Sequence, residues 1–239
     1  MTTSQKWPSN LVIVRHAQSQ RNLWKEIATN KGDFVYDGKF RDMDVPLTPL
    51  GEQQATATGQ HLARELKFDR VYASPFVRTM ETARFITAGF PYKVEIVEDE
   101  RLREIDFGLL DGLTKHGIAH FHKDEVARKK KLKKYWYRAP AGENWPDVGL
   151  RVHSFFDTVA REMAGESVLV VCHSVVVLIF CKLLDRLSEH QILELDDRED
   201  VKNCGIVHYV FDPSQGANGK LVRRMYNQVF YDGKPGDAK

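Results

Sequence analysis

The run Leu11-Val12-Ile13-Val14-Arg15-His16-Ala17-Gln18-Ser19-Gln20-Arg21-Asn22 decides the fold. Four apolar, mostly β-branched residues bounded by polar ones read as a buried strand, and the Arg15-His16 pair emerges where that strand ends. Open α/β sheets keep their ligands at the carboxyl ends of their strands. An imidazole beside a guanidinium on a loop held by a rigid strand is a nucleophile next to a fixed positive charge, the pairing that attack on a phosphoryl group requires.

Outward from this run, strand and helix signals alternate. Thr48-Pro49 caps and starts a helix, which carries Ala55, Gly59, Leu62 and Leu66 at helical spacing. Val71-Tyr72-Ala73 is a second strand, and Ser74-Pro75 repeats the cap-then-proline signal before a helix from Phe76 to Thr87, with Arg78 in its first turn. Val94 to Val97 is an edge strand, and Leu102 to Gly112 is a loop carrying Glu104. Val148, Val152, Phe155, Val159 and Met163 mark an amphipathic helix from Asp147, after which come a strand at Val168–Cys172 and a helix at Val175–Leu187. Asn203–Phe211 and Leu221–Tyr226 read as two more strands. The alternation predicts an α/β fold of three layers, α/β/α, with a mostly parallel central sheet.

The chain has 239 residues, 42% hydrophobic and 28% charged, with a net charge of +2, enough for one large α/β domain over 1–239. Within it, 1–10 is a polar tail, 24–46 and 112–140 are lid or rim insertions (Lys25 to Val45 being irregular), and 231–239 is a flexible tail. The near balance of charge gives no sign of nucleic acid, and the N-terminus lacks the apolar core of a signal peptide. Val168–Phe180 is too interrupted to span a membrane, so the expected location is cytoplasmic. Cys172, Cys181 and Cys204 form no paired motif and are expected as small buried hydrophobes.

Arg15-His16, Arg78, Glu104 and His173 each lie at the end of a predicted strand or the start of a helix. In a parallel sheet such positions converge on one crevice, giving two histidines, two arginines and a carboxyl group. Neutral His16 can attack phosphorus and carry it as phosphohistidine, while Arg15 and Arg78 hold the non-bridging oxygens. His173, if protonated, adds a third donor to the same oxygens, and an electronegative site would favour that charged form. Glu104 can give a proton to the leaving alkoxide and then take one from water. No metal or other cofactor is called for, because side chains supply the cations. His116, His120 and His122 fit metal motifs poorly and read as rim residues. The run Arg128–Lys134, followed by Tyr135-Trp136-Tyr137-Arg138, is a solvated helix face or a basic, aromatic cap over the pocket. Asp196–Asp200 reads as a solvated loop.

The chain resembles the histidine phosphatase superfamily, the group that includes cofactor-dependent phosphoglycerate mutases and many small phosphatases. The segments that carry the resemblance are Arg15–Ser19, Pro46–Gly51, Ala73–Ala83, Leu102–Gly108, Pro140–Asn144 and Val170–Ser174, in the family's order. The resemblance implies a phosphoglycerate mutase-like fold, phosphorylated His16, phosphoryl binding by Arg15, Arg78 and His173, and Glu104 as proton donor. It adds Asn22 and Ser19 as substrate or phosphate contacts. Two departures stand out, Ala17 and Ser174, where the family usually or often has glycine after its histidines. Ala17 would be harmful only at a positive φ, and the Ser174 hydroxyl could bond the phosphoryl group or cap the following helix.

The expected activity is hydrolysis of a phosphate monoester, with a small phosphorylated molecule as the expected substrate. A phosphoglycerate mutase-type phosphotransferase and a weakly active or inactive phosphatase-like interaction protein are the alternatives. The sequence leaves oligomeric state open, a homodimer included.

Overall fold

In the computed structural model, which describes residues 5–36 and 40–231, the opening apolar run is β1 (Asn10–Arg15). Its side chains alternate between two cores: Leu11 and Ile13 point to one, Val12 and Val14 to the other, and all four are buried. A strand covered on both faces belongs inside a sheet. β1 pairs in parallel with β4 (Ser167–Cys172) and antiparallel with β5 (Ile206–Asp212). β2 (Arg70–Ala73) pairs in parallel with β4 and with β3 (Ile96–Glu98), and β6 (Lys220–Gln228) closes the other edge against β5. The order is β3-β2-β4-β1-β5-β6, so the four strands of the parallel part all finish on one side.

One face is covered by α2 (Pro49–Glu65) and α3 (Val77–Ala88), the other by α6 (Trp145–Glu162) and α7 (Ser174–Leu184). This is the expected α/β/α arrangement. α2 starts where expected, with Thr48 accepting from the backbone N of Gly51 and Pro49 in the first turn. α6 starts two residues earlier than its apolar stripe suggests, because Asn144 and Asp147 form a reciprocal capping box. Val148, Val152, Phe155 and Val159 are fully buried from it, at about 1.5–3 kcal/mol per large side chain.

Several expectations on local structure are corrected. Lys25 to Lys31 is not irregular but continues α1 (Gln20–Lys31), started by a Ser19–Asn22 capping box and ended by Gly32 at φ 74°. Asp196 and Asp197 lie in a helix, α8 (Glu189–Arg198), rather than a loop, and Asp196 pairs with Lys134. β5 begins at Ile206 rather than Asn203, because Asn203-Cys204-Gly205 is a turn with Cys204 at φ 53°. Of the expected N-terminal tail, residues 1–4 lie outside the described residues, while Ser9 donates to Glu166 O at 2.7 Å and Trp7 meets Phe156 edge to face. Residues 37–39 of the expected 24–46 insertion and 232–239 of the C-terminal tail also lie outside.

The basic segment forms α4 (Lys115–Phe121) and α5 (Lys123–Trp136). Lys129, Lys130 and Lys131 are exposed, whereas Tyr135 and Tyr137 are buried and tie the segment to the body. All three cysteines are buried and free. Among the described residues, no helix is long and apolar enough to cross a membrane.

Candidate active site

The register of the sheet builds the site. Arg15 lies opposite Cys172, and the backbone N of His16 donates to Cys172 O at 2.9 Å, so His16 and His173 leave adjacent strands side by side. Their rings stand 5.3 Å apart, centroid to centroid. Ser74 follows β2, and its backbone N donates to Val171 O, which brings it beside His173. Arg78 lies in the first turn of α3, and Glu104 follows β3 through a turn of 3-10 helix, Glu100–Leu102. All five reactive side chains expected from the sequence therefore belong to the carboxyl ends of parallel strands.

The loop after β1 is held on every side. Ala17 N donates to Thr82 Oγ1 at 3.0 Å, Gln18 N to Gln54 Oε1 at 2.9 Å, and Asn203 Nδ2 to His16 O at 2.9 Å. Gly51 lets α2 come this close, since a Cβ there would lie 2.1 Å from Gln18 O. Ala17 has no positive φ and its methyl is buried in the core, so this replacement of glycine carries no backbone strain.

His16 Nδ1 donates to its neighbour's carbonyl, Ala17 O, at 2.7 Å, because a carbonyl oxygen can only accept. The lone pair of the neutral ring is then on Nε2. Burial foremost, with Arg78 and Arg15 beside it, holds His16 well below the ordinary imidazole range. His173 is displaced the same way, by burial and then by Arg78, His16, Arg151 and Arg15. An electronegative site, the condition under which His173 would be a charged donor, is not what surrounds it: Arg78, Arg151 and Arg15 all oppose its charge. His173 Nε2 shares a 2.9 Å hydrogen bond with Ser74 Oγ, while its Nδ1 is buried without a partner among the described residues. Ser74 thus serves His173 and does not cap α3, whose N-cap, Phe76, has no side-chain bond.

Arg78 is 2% exposed, and its guanidinium stacks 4.8 Å above the Phe76 ring. Its NH1 donates to the Asp42 carbonyl, and NH1 and NH2 lie 3.0 and 3.1 Å from the two Asp42 carboxylate oxygens. Asp42 Oδ1 also makes an ion pair with Arg21 Nε at 3.0 Å, with no hydrogen bond between them, and Arg21 reaches on to Asp111 and to Tyr36 OH. Arg15 donates from NH1 to Val201 O, and its Nε is buried without a partner among the described residues.

Glu104 is half-buried, and desolvation lifts its carboxyl above the usual range against the Ile105 backbone N–H and Arg78. Its loop is clamped from α6: Arg151 donates to Glu104 O and Arg101 O, and Glu143 accepts from Arg151, Arg103 and the Asp106 backbone N. Asn22 Oδ1 accepts from Ser19 N and Oγ at 3.0 Å, which turns the amide nitrogen outward as a donor. Ser19, 1% exposed, spends its hydroxyl on that cap. Ser174 is the first residue of α7, so the N-cap position belongs to His173, whose side chain makes no capping bond.

Asp42, Ser74, Arg151 and Asn203 are the members of the constellation that sequence reasoning missed. Ser74 alone carried a signal, a polar residue directly after a strand, and that signal was read as a cap. His120 stacks on Phe34 at 4.4 Å, and no group of three or more His, Cys, Asp or Glu among the described residues is placed to hold a metal ion.

Comparison with known proteins agrees with this fold. The sequence profile of the histidine phosphatase superfamily (branch 1) matches residues 11–222. A 2,3-bisphosphoglycerate-dependent phosphoglycerate mutase of Sinorhizobium fredii (strain NBRC 101917 / NGR234) is 35% identical over 191 residues, 78% of this chain and 84% of that protein. Its namesake in Rhizobium meliloti (strain 1021) is 34% identical over the same shares. Among solved structures, a putative alpha-ribazole-5'-P phosphatase from Escherichia coli K-12 superposes with a TM-score of 0.71 at 19% identity, covering 95% of this chain and 100% of that one. A mycobacterial glucosyl-3-phosphoglycerate phosphatase in complex with VO3 gives 0.68 at 19% identity, over 92% and 99%. At these identities the structural likeness speaks to the fold.

Proposed function

Since the chain belongs to the histidine phosphatase superfamily, we propose that it hydrolyses phosphate monoesters through a phosphohistidine on His16. The observation that carries this reading is the placement of His16: Nδ1 tied to Ala17 O, Nε2 left as the nucleophile, and burial beside Arg78 and Arg15 favouring the neutral ring. Nε2 attacks phosphorus as the P–O bond to the leaving alkoxide breaks, and the Glu104 carboxyl gives that oxygen its proton. Water then attacks the phosphohistidine, Glu104 as carboxylate takes the water's proton, and the P–N bond breaks to restore neutral His16.

Arg15 and Arg78 hold the non-bridging oxygens as charge spreads over them. Arg15 Nε and His173 Nδ1, buried and without partners among the described residues, are further groups that such oxygens would satisfy. A dianion between the histidines also reverses the electrostatics that keep His173 neutral, so binding brings it toward its donor form. Asn22 offers its amide nitrogen, and Ser174, at the start of α7, is a secondary contact.

A mutase reading, in which the phosphoryl group returns to substrate, is favoured by the names of the relatives at 34–35% identity. One assay separates the two. Incubation with 3-phosphoglycerate should release inorganic phosphate for a phosphatase, whereas isomerisation without net release would make the chain a mutase. Turnover of p-nitrophenyl phosphate with His16→Ala as control tests the nucleophile, and unchanged activity in the variant would remove it.

A further inference from the structure

Arg78 reaches the site with most of its charge already answered. Asp42 meets it with two acceptors, the main-chain carbonyl on NH1 and Oδ2 on NH2, and sets Oδ1 in ion-pair contact with NH1 at 3.0 Å, all on the NH1 and NH2 side of the guanidinium. Oδ1 of the same carboxylate also makes an ion pair with Arg21 Nε, and the Arg21 guanidinium is in turn fixed by Asp111 and Tyr36 OH. The acid is therefore anchored in one place. A guanidinium gripped at one end still has donors on its Nε edge, and its planar fork keeps that edge aimed in one direction.

We propose that Asp42 is a positioning residue of the phosphoryl site, fixing Arg78 from behind and setting the net charge that Glu104 and the phosphoryl group meet. The inference rests on the phosphohistidine reading above. Its logic is a balance of charges. The charges that bear most on Glu104 are Arg78 on α3, Asp42 in its 3-10 turn and Arg15 at the end of β1, and Lys25 on α1, Arg151 on α6 and the Cys172 thiol on β4 are coupled to it as well. Among these charges Asp42 is the carboxylate. Against four cations, it opposes the loss of the proton that Glu104 must deliver. The same charge, one guanidinium away from the bound phosphoryl group, weakens the hold on product phosphate and so favours its departure. Removing it should strengthen ground-state binding and spoil the acid.

The experiment measures inorganic phosphate binding by calorimetry, and the pH dependence of kcat/KM on p-nitrophenyl phosphate, in wild type, Asp42→Asn and Asp42→Glu. Asn keeps an acceptor for Arg78 and the main-chain carbonyl, but not the charge. Expected for Asp42→Asn is phosphate binding about tenfold tighter, from one unit charge screened as near a protein surface. The alkaline limb should move down by about one pH unit, with kcat reduced. Asp42→Glu keeps the charge and should hold the limb at the wild-type pH while KM rises.

Weaker phosphate binding in Asp42→Asn with an unmoved limb would make Asp42 a scaffold and overturn the proposal. A limb displaced in Asp42→Glu would overturn it even if the Asn variant did not fold. Wild type that neither binds phosphate nor turns over the ester would instead overturn the phosphatase reading, and this inference with it.

Discussion

Two neutral imidazoles buried side by side make stability depend on pH in a way that can be worked out in advance. His16 and His173 are 3% and 0% exposed, and burial with the neighbouring arginines holds both well below the ordinary imidazole range. A group whose folded-state pKa is depressed contributes stability above its unfolded value and loses it as pH falls. The unfolded histidines titrate at about 6.5, so at about pH 5.5 each draws about 1.4 kcal/mol toward the unfolded state, and almost nothing at about pH 7.5. The pair should therefore cost the fold about 3 kcal/mol over that interval. His61 and His208 are displaced in the same direction and Glu104 in the opposite one, so the contribution is isolated by difference. Urea denaturation of wild type, His16→Asn and His173→Asn at the two pH values supplies it, each variant losing about 1.4 kcal/mol less than wild type on acidification. Added phosphate should flatten the wild-type dependence, because an anion between the rings favours their charged forms. Equal losses in all three proteins, or imidazole NMR signals of both residues titrating near pH 6.5, would refute the reasoning.

Four further outcomes follow from particular contacts. Ser74→Ala leaves the buried His173 Nε2 unpartnered and should cost about 1–3 kcal/mol in thermal or urea unfolding, with kcat falling and KM little changed. Glu104→Gln should slow hydrolysis of an alkyl phosphate by about 10²–10⁴ but that of p-nitrophenyl phosphate much less, since nitrophenolate departs without a proton. Gly51→Ala drives a methyl into Gln18 O and should destabilise by about 1–3 kcal/mol or unfold the chain, read by circular dichroism. Ala17→Gly should lose about 1 kcal/mol of stability without gaining activity in the p-nitrophenyl phosphate assay, because Ala17 needs no positive φ.

The sheet was legible because its signals are local. Leu11–Val14 is apolar on both faces, Thr48-Pro49 is a cap followed by a preorganised turn, and each requires only neighbours in sequence. Arg15, His16, Arg78 and His173 could be singled out for the same reason, since they end or directly follow a strand or sit in the first turn of a helix, while Glu104 follows β3 only through the 3-10 turn Glu100–Leu102. What escaped depends on polar residues whose partners are far along the chain. Ser74 looks like a cap until His173, 99 residues away, is seen at its hydroxyl. Asp42 reads as one acid in a polar loop until Arg78 and Arg21 converge on it. α1 and α8 carry few buried residues, Ala28 on one and Ile192 and Leu195 on the other, so the apolar stripe that announces α6 is missing. Their capping boxes, Ser19 with Asn22 and Ser188 with Gln191, were the signal available. The charge around His173 was not legible because its arginine neighbours are set by the fold and not by spacing in the sequence.

The central claim is that His16 carries the phosphoryl group. Rapid mixing with a phosphomonoester, an alkaline quench and intact-protein and peptide mass spectrometry test it directly. The account expects one acid-labile, alkali-stable phosphoryl group on the peptide containing His16, absent from His16→Ala. Steady ester turnover with His16 never modified, or a phosphoryl adduct that persists in His16→Ala, would contradict it.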